Sequence, residues 1–176
     1  MSQPPHQLPD VLARGLKVVF CGSAAGSVSA RRGAYYAGPG NRFWSALHAS
    51  GLTPRLLAPE EFATLPDYGL GLTDMAKHYA GADAGIRQGD DDPAALRAKV
   101  LAYRPRVLAF VGKRPATALL GHSPGYGRQD ARIGDAVIWV LPSPSGAARR
   151  WWSLEPWCAL AGYAACGAAA LTVSST

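Results

Sequence analysis

The sequence predicts an α/β fold, a three-layer α/β/α sandwich built around a short central parallel sheet. Three short apolar segments, at residues 17–21, 107–111 and 137–141, have the composition of strands that are buried on both faces. Segments with helical spacing or helix-start signals alternate with them along the chain. Strands of this kind need helices on both sides, so the pattern favours a covered sheet over a barrel or a helical bundle.

The first half of the chain supplies the following elements. The strand at 17–21 ends at Gly22 and leads into a loop, residues 22–40, that is rich in Gly, Ser and Ala. Asn41 is placed to cap a helix that ends near Gly51. A second helix should open near Pro59, and a short strand at 70–72 should deliver Thr73 and Asp74 to its carboxyl end.

The second half repeats the alternation. Asp92 and the proline after it are a typical helix start, and Pro105 ends that helix before the strand at 107–111. Gly112 turns the chain into a short helix, and the strand at 137–141 ends at a proline. Ser153 is placed to cap a final Ala-rich helix.

The bulk properties indicate one compact domain. The chain has 176 residues, of which 48% are hydrophobic and 17% charged, and we expect a single domain over 13–172 after a flexible tail at 1–12. The sequence has no apolar stretch long enough for a membrane helix, and its start is polar and Pro-rich, unlike a signal peptide. A cytoplasmic, non-secreted protein is therefore expected.

Cysteine content and charge narrow the classes of partner. Three cysteines are too few and too scattered for a disulfide framework or for a four-cysteine metal or iron–sulfur site, and they fit a reducing cytoplasm. A net charge of +6 suits a polyanion such as nucleic acid. Charge alone does not identify the partner.

Three loops follow strands and should meet at one edge of the sheet. Ligands of open α/β sheets bind outside the carboxyl ends of the strands. The loops at 22–40, 73–83 and 142–150 all lie there and should form one cleft.

Each loop taken alone has two interpretations. The glycines of 22–26 leave backbone N–H groups free to bind an anion or a carbonyl oxygen, or they simply make a tight turn. Tyr35 or Tyr36 can stack on a planar ligand or pack in the core. The stiff, basic loop PSPSGAARR can press into a nucleic-acid groove, or it is a turn with solvated arginines.

Together these segments resemble one family. The stretches VVFCGSAAGSVSA, YAGPGNRFW, GLTP, GLGLT and WVLPSPSG occur in one collinear order with comparable spacing. In this combination the chain is similar to the mismatch-specific uracil-DNA and thymine-DNA glycosylases of the uracil-DNA glycosylase superfamily. The resemblance implies a uracil-glycosylase fold, flipping of a base out of DNA, association with the nucleoid, and neither metal nor cofactor.

The resemblance also assigns roles to residues. Backbone groups around Ser23 and Gly26 would read the base edge, Tyr36 would stack on the flipped ring, and Ser29 would line the pocket wall. The base pocket implied in this way comprises Gly22, Ser23, Ala24, Gly26, Ser29, Tyr36 and Asn41. The loop that enters the DNA would include Ser143, Ser145, Gly146, Ala147 and Arg149, with Arg149 as the anchor.

Two positions depart from the family pattern. Ala24 stands where the family usually has an Asn that positions the hydrolytic water, so the usual catalytic amide is absent. Ala147 stands where a bulkier apolar wedge is common, so a smaller plug and a weaker grip on the partner strand are expected.

A carboxylate at the rim of the pocket can replace the missing amide, because it would activate water and stabilise the cationic sugar of the transition state. Asp74 is the candidate, since it follows a strand beside the Gly22 loop. Its alternative role is to cap a turn or to pair with an arginine. His78 and Asp83 are the other candidates for the base.

The sequence therefore predicts a DNA glycosylase that acts on uracil, with hypoxanthine, xanthine or substituted uracils as further substrates and poorly paired sites preferred. Ala24 keeps open a second hypothesis, a protein that binds damaged or abasic DNA without turnover. A third is an α/β hydrolase with Ser145 as nucleophile, although the chain lacks the Gly-x-Ser-x-Gly elbow.

Overall fold

A computed structural model describes residues 5–169 as an α/β sandwich with five strands and five α-helices. The strands are β1 Val18–Gly22, β2 Leu70–Asp74, β3 Val107–Val111, β4 Gly127–Ile133 and β5 Ala136–Leu141. The helices are α1 Ser27–Arg32, α2 Phe43–Ala49, α3 Pro93–Tyr103, α4 Lys113–Leu120 and α5 Glu155–Ala169. Three 3-10 helices cover Pro59–Tyr68, Asp83–Gly85 and Gly146–Trp151.

The sheet has the strand order β2-β1-β3-β5-β4. Neighbouring strands among β2, β1, β3 and β5 are parallel, and β4 is antiparallel to β5 at one edge. The predicted fold class is confirmed, with one addition. The strand β4 escaped the sequence analysis because its residues GRQDARI are mostly polar and its burial alternates only weakly, as an edge strand allows.

The residues of β1 and β3 alternate between two cores. Val18 and Phe20 of β1 face the core formed with α2 and α5, whereas Val19 and Cys21 face the core formed with α3 and α4. Strand β3 divides in the same way. Because successive side chains of a strand point to opposite faces, two covered faces require apolar residues at every position.

The loop at 22–40 and the segment after Pro59 differ from the expectations. Helix α1 lies inside the loop, and the segment Pro59–Tyr68 is a 3-10 helix with Pro66 in its interior. Helix α2 starts at Phe43 and its N-cap is Arg42. Asn41, which was predicted to be the N-cap, lies one residue before it. The Asn41 Oδ1 nevertheless accepts the Phe43 N–H at 3.0 Å, which preserves its stabilising contact with the helix start.

Part of the segment expected as a flexible tail over 1–12 packs against the sheet, from Leu8 to Val11. Leu8 and Val11 are buried, and Val11 forms a bridge with Leu72 of β2. The bridge covers the outer edge of β2, which would otherwise expose unpaired backbone groups. Residues 170–172 of the predicted domain lie outside the described residues. No helix within 5–169 is long and apolar enough to span a membrane.

Candidate active site at the carboxyl edge of the sheet

Asp74 is the last residue of β2 and lies in register with Gly22, the last residue of β1. Its side chain is only 5% exposed. Both strands are parallel, so both residues stand at the carboxyl edge, as the sequence predicted. The acid is therefore placed at the edge where this class of sheet binds its ligands.

Three groups meet closely at this point. A methyl group placed on Gly22 would lie 2.6 Å from Asp74 Oδ1 and 2.9 Å from the Tyr36 hydroxyl oxygen. The Tyr36 hydroxyl is buried and has no hydrogen-bond partner within residues 5–169. Tyr36 also has a left-handed backbone, with φ of 51°. Unpaired buried polar groups and strained backbone of this kind concentrate at functional sites.

Tyr36 is held by aromatic stacking. Its ring lies 4.0 Å from the Phe43 ring, centroid to centroid, with an interplanar angle of 21°. Phe43 in turn is fully buried against the Phe20 and Trp157 rings. The tyrosine is therefore fixed by the core on one side, while the residue as a whole remains half-buried.

Backbone hydrogen bonds join residues 22–26, called the glycine loop below, to the loop at 73–83. The Met75 N–H donates to the Gly22 carbonyl, and the Ala76 N–H donates to the Ser23 carbonyl, both at 2.8 Å. The Gly81 N–H donates to the Ala25 carbonyl at 2.9 Å. These contacts use the carbonyls of the glycine loop. The N–H groups of Ala24 and Gly26 make no backbone hydrogen bond within the described part of the chain.

The third loop adjoins the first. The Arg42 N–H donates to the Pro144 carbonyl at 2.9 Å. A methyl group on Gly146 would lie 3.4 Å from the Pro39 carbonyl oxygen, and one on Gly40 would lie 3.6 Å from the Arg149 guanidinium. The loop at 22–40 therefore contacts both the loop at 73–83 and the loop at 142–150, and these are the three loops that were predicted to converge.

Burial raises the pKa of Asp74 to about 6, and the positive charge of Lys77 partly opposes this shift. The carboxylate of Asp10 raises the pKa further and Lys99 lowers it. A carboxyl group with this pKa is ionised at neutral pH but retains more basicity than an exposed aspartate.

An ionic cluster that influences Asp74 is formed by three residues, Asp10, Lys77 and Lys99. Lys77 Nζ lies 3.0 Å from Asp10 Oδ1 and Lys99 Nζ lies 2.7 Å from Asp10 Oδ2. The Thr73 hydroxyl donates to Asp10, and Lys77 also donates to the Tyr35 hydroxyl. Burial alone would raise the pKa of Asp10, but the two lysines and Thr73 outweigh it and hold that pKa below its ordinary value.

Several other residues predicted for the site have contacts of their own. The Ser29 hydroxyl is buried and accepts the Ala37 N–H at 3.0 Å, next to Tyr36. The Ser23 hydroxyl donates to Asp83 at 3.1 Å, so Asp83 holds the glycine loop. The ring of His78 packs 5.0 Å from the His6 ring.

The loop at 142–150 is tied together by its own serines. The Ser143 hydroxyl accepts the Ser145 N–H, and the Ser145 hydroxyl accepts the Ala147 N–H, each at 3.3 Å. Ala147 and Arg149 are exposed at its tip.

A cavity of about 400 Å³ lies at the opposite edge of the sheet, where β3 and β5 begin. Three of its charged groups have partners, since Arg104 pairs with Asp135 and Arg106 donates to the Ala164 carbonyl. The cavity is on the wrong side of the sheet for the loops described above, and the chemistry lies at the other edge.

Sequence reasoning missed Lys77, Asp10 and Lys99. Asp10 is 67 positions from Lys77 and 89 from Lys99, and it falls in a Pro-rich stretch that was expected to be a free tail. The chain carries no local spacing pattern that joins these residues. Only the packing of the N-terminal segment along β2 brings them together.

The fold and the site define an α/β protein with a buried acid and free backbone donors at the carboxyl edge of a parallel sheet. The uracil DNA glycosylase superfamily matches residues 9–164. A solution structure from Methanosarcina acetivorans, described as a putative uracil DNA glycosylase, is similar at 25% sequence identity with a TM-score of 0.61. That similarity covers 90% of this chain and 96% of the other.

The chain therefore belongs to the uracil DNA glycosylase superfamily. This membership supports a DNA glycosylase activity in general, and with it DNA as the partner.

Replacing Asp74 by Asn should stabilise the protein at neutral pH. Because folding raises the pKa of Asp74 from 3.8 to about 6, the stability that its protonated form contributes is complete below pH 3.8 and is lost as pH rises through about 6. The ionised wild type should then be less stable than Asp74→Asn by on the order of 3 kcal/mol at pH 8. Urea unfolding at pH 4 and at pH 8 measures the difference, with the exposed Asp130→Asn as control. A variant less stable than the wild type at pH 8 would contradict the expectation.

Replacing Gly22 by Ala should disturb the cluster of Gly22, Asp74 and Tyr36, because the added methyl group would lie within 3 Å of two side-chain oxygens. We expect a loss of about 1–3 kcal/mol in the free energy of unfolding. Gly26→Ala is the matched control, since nothing lies within 4 Å of its added methyl group. Equal stability of the two variants in urea would show that the cluster can relax around the methyl group.

Proposed function

We propose that this protein hydrolyses the bond between uracil and deoxyribose in DNA, the first step of base excision repair, with hypoxanthine and xanthine as further substrates. The observation that carries the proposal is the buried carboxylate of Asp74, with its raised pKa, beside Gly22 and Tyr36 at the loop edge of the sheet. Superfamily membership supplies the reaction class. The residue assignment comes from the geometry of the site.

Asp74 has two tasks in this reaction. The carboxylate takes a proton from a water molecule as the water oxygen forms a bond to the C1′ carbon of the sugar. The bond between C1′ and the base breaks, and its electron pair leaves with the base. As the transition state resembles an oxocarbenium ion, the negative charge of Asp74 also stabilises the sugar.

The glycine loop and Tyr36 serve the departing base. The free N–H groups of Ala24 and Gly26 are donors for its oxygens, on which negative charge develops as the bond breaks. Tyr36 keeps its proton at neutral pH, because burial and the charge of Asp74 raise the pKa of its hydroxyl well above the ordinary value. At neutral pH the Tyr36 side chain is therefore uncharged, and its hydroxyl group is one further hydrogen-bond donor beside Asp74.

The basic loop at 142–150 supplies the grip on DNA, with Arg149 as the anchor for a phosphate. Ala147 at its tip is small, so the loop offers little volume to fill the gap left by a flipped nucleotide. Extrusion should then be easiest where pairing is already weak, which favours uracil opposite guanine over uracil opposite adenine.

A second candidate function, lesion binding without turnover, is favoured by one observation, the alanine at position 24 where the family usually has an amide. The two proposals differ in a single measurement. Under single-turnover conditions a binding protein retains lesion affinity and releases no base.

Removing the carboxylate should abolish excision. We expect Asp74→Ala and Asp74→Asn to lower the single-turnover rate on uracil-containing duplex DNA by about 10²- to 10⁴-fold, because the general base is lost. Alkali cleavage of labelled oligonucleotides measures the rate, and affinity for the same DNA should be unchanged. His78→Ala and Asp83→Asn are the controls for the other two candidates. Undiminished excision by both Asp74 variants would overturn the assignment.

The rate of the wild-type protein should fall as pH drops through about 6, since Asp74 then becomes protonated. Lys77→Gln removes the charge that most lowers this pKa, so its acid limb should move to higher pH. Lys99→Gln should shift it less. Rate profiles from pH 4.5 to 9, with thermal unfolding to verify folding, test both variants. Profiles that superimpose on the wild type would rule out the electrostatic role of Lys77.

A further inference from the structure

Among the residues that the structure describes, Trp151 is the most exposed large apolar side chain, at 66%. It is the last residue of the 3-10 helix Gly146–Trp151, which ends the basic loop. An aromatic side chain of this size in water loses the free energy that burial would provide, on the order of 2 kcal/mol. Its ring therefore presents a flat apolar surface to solvent beside the basic loop.

The neighbouring residue fixes Trp151 in this outward position. The Trp152 ring lies 5.9 Å from the ring of the fully buried Trp157, and the Arg42 guanidinium lies 5.6 Å from its centroid. The Trp152 N–H also donates to the Arg149 carbonyl. Because the Trp152 ring packs against the core, the Trp151 ring that precedes it in the chain faces solvent.

The charge around Trp151 is positive. The Arg150 guanidinium lies 5.7 Å from the centroid of its ring, and Arg149 is also exposed on the same short helix. Neither arginine forms a salt bridge with any group in residues 5–169. An exposed indole that follows two arginines without salt bridges suits a ligand that carries both anionic groups and flat rings.

The helix that carries Trp151 also adjoins the candidate active site. Its first residue, Gly146, packs on the Pro39 carbonyl in the loop that leads from Tyr36 to α2. When one nucleotide of a DNA strand reaches Asp74, the nucleotides that flank it would therefore lie across this helix.

We propose that Trp151 stacks on a nucleobase next to the extruded nucleotide, with Arg149 and Arg150 on the flanking phosphates. This inference rests on the proposed function and names a contact that the family pattern does not supply. The wedge position, Ala147, has only a methyl group, and an indole four residues later provides the missing flat surface. Stacking of a base on an aromatic side chain has the required strength and tolerates any sequence.

The test measures binding separately from catalysis. Trp151→Ala and Trp151→Phe are made in the Asp74→Asn background and titrated with a uracil·guanine duplex of about 20 base pairs. Trp151→Ala should weaken binding by about one order of magnitude, and Trp151→Phe should restore most of the loss. Tyr103→Ala, an exposed aromatic at the end of α3 on the opposite edge of the sheet, is the matched control and should bind normally.

Two further readouts separate stacking from charge. The salt dependence of binding should be unchanged in Trp151→Ala, whereas Arg150→Ala should reduce the slope by about 0.9. Tryptophan fluorescence should be quenched by DNA in the Asp74→Asn protein and far less in Trp151→Phe, because Trp44, Trp139 and Trp157 are buried and the half-buried Trp152 packs between Trp157 and Arg42.

The outcomes distinguish the two proposals. Normal binding by Trp151→Ala, or quenching that persists in Trp151→Phe, overturns the stacking contact even if the wild type excises uracil. Weaker binding by Trp151→Ala together with a wild type that releases no base supports the contact and refutes the catalytic assignment. A wild type without affinity for this duplex overturns both.

Discussion

The parallel pairing of β1 with β2 is the constraint on which the site depends. Its register sets Gly22 beside Asp74, and the period of two along each strand turns Asp74 toward the same core as Leu70 and Leu72. Tyr36 and Phe43 lie on that face. A slip of one residue would turn the acid to the α3 and α4 side, among Cys21, Met75 and Leu96. Because both faces are packed, the register is strongly specified.

A buried carboxylate at this position needs charge compensation from elsewhere in the chain. The positive charge of Lys77 supplies part of it, and Lys77 in turn forms a salt bridge with Asp10 of the N-terminal segment. An isolated buried charge is expensive, whereas a paired and hydrogen-bonded one is tolerated. The segment before β1 is therefore part of the electrostatics of the site, although it contributes no group to the edge where the loops meet.

The sequence was sufficient for the sheet and for the acid, because both leave local patterns. Apolar runs bounded by glycines or prolines predicted β1, β3 and β5, and the Gly-Leu-Thr-Asp run placed Asp74 at a strand end. It was insufficient for β4, whose polar edge carries no apolar run, and for the ion cluster, whose members are joined only by tertiary packing. Trp151 was also invisible, since nothing in the sequence tells whether Trp151 or Trp152 faces the core.

In the proposed mechanism the carboxylate of Asp74 replaces an amide, and this proposed exchange has consequences that follow from the burial of Asp74. A neutral amide can orient water at any pH, whereas a carboxylate also accepts the proton and carries a charge, but only above its pKa. A general base is most effective when its pKa lies near the working pH, because basicity rises with pKa while the ionised fraction falls. Burial that raises the pKa of Asp74 to about 6 places it near that balance at neutral pH. The same burial opposes folding, so the site that suits the proposed chemistry is maintained at a cost to stability.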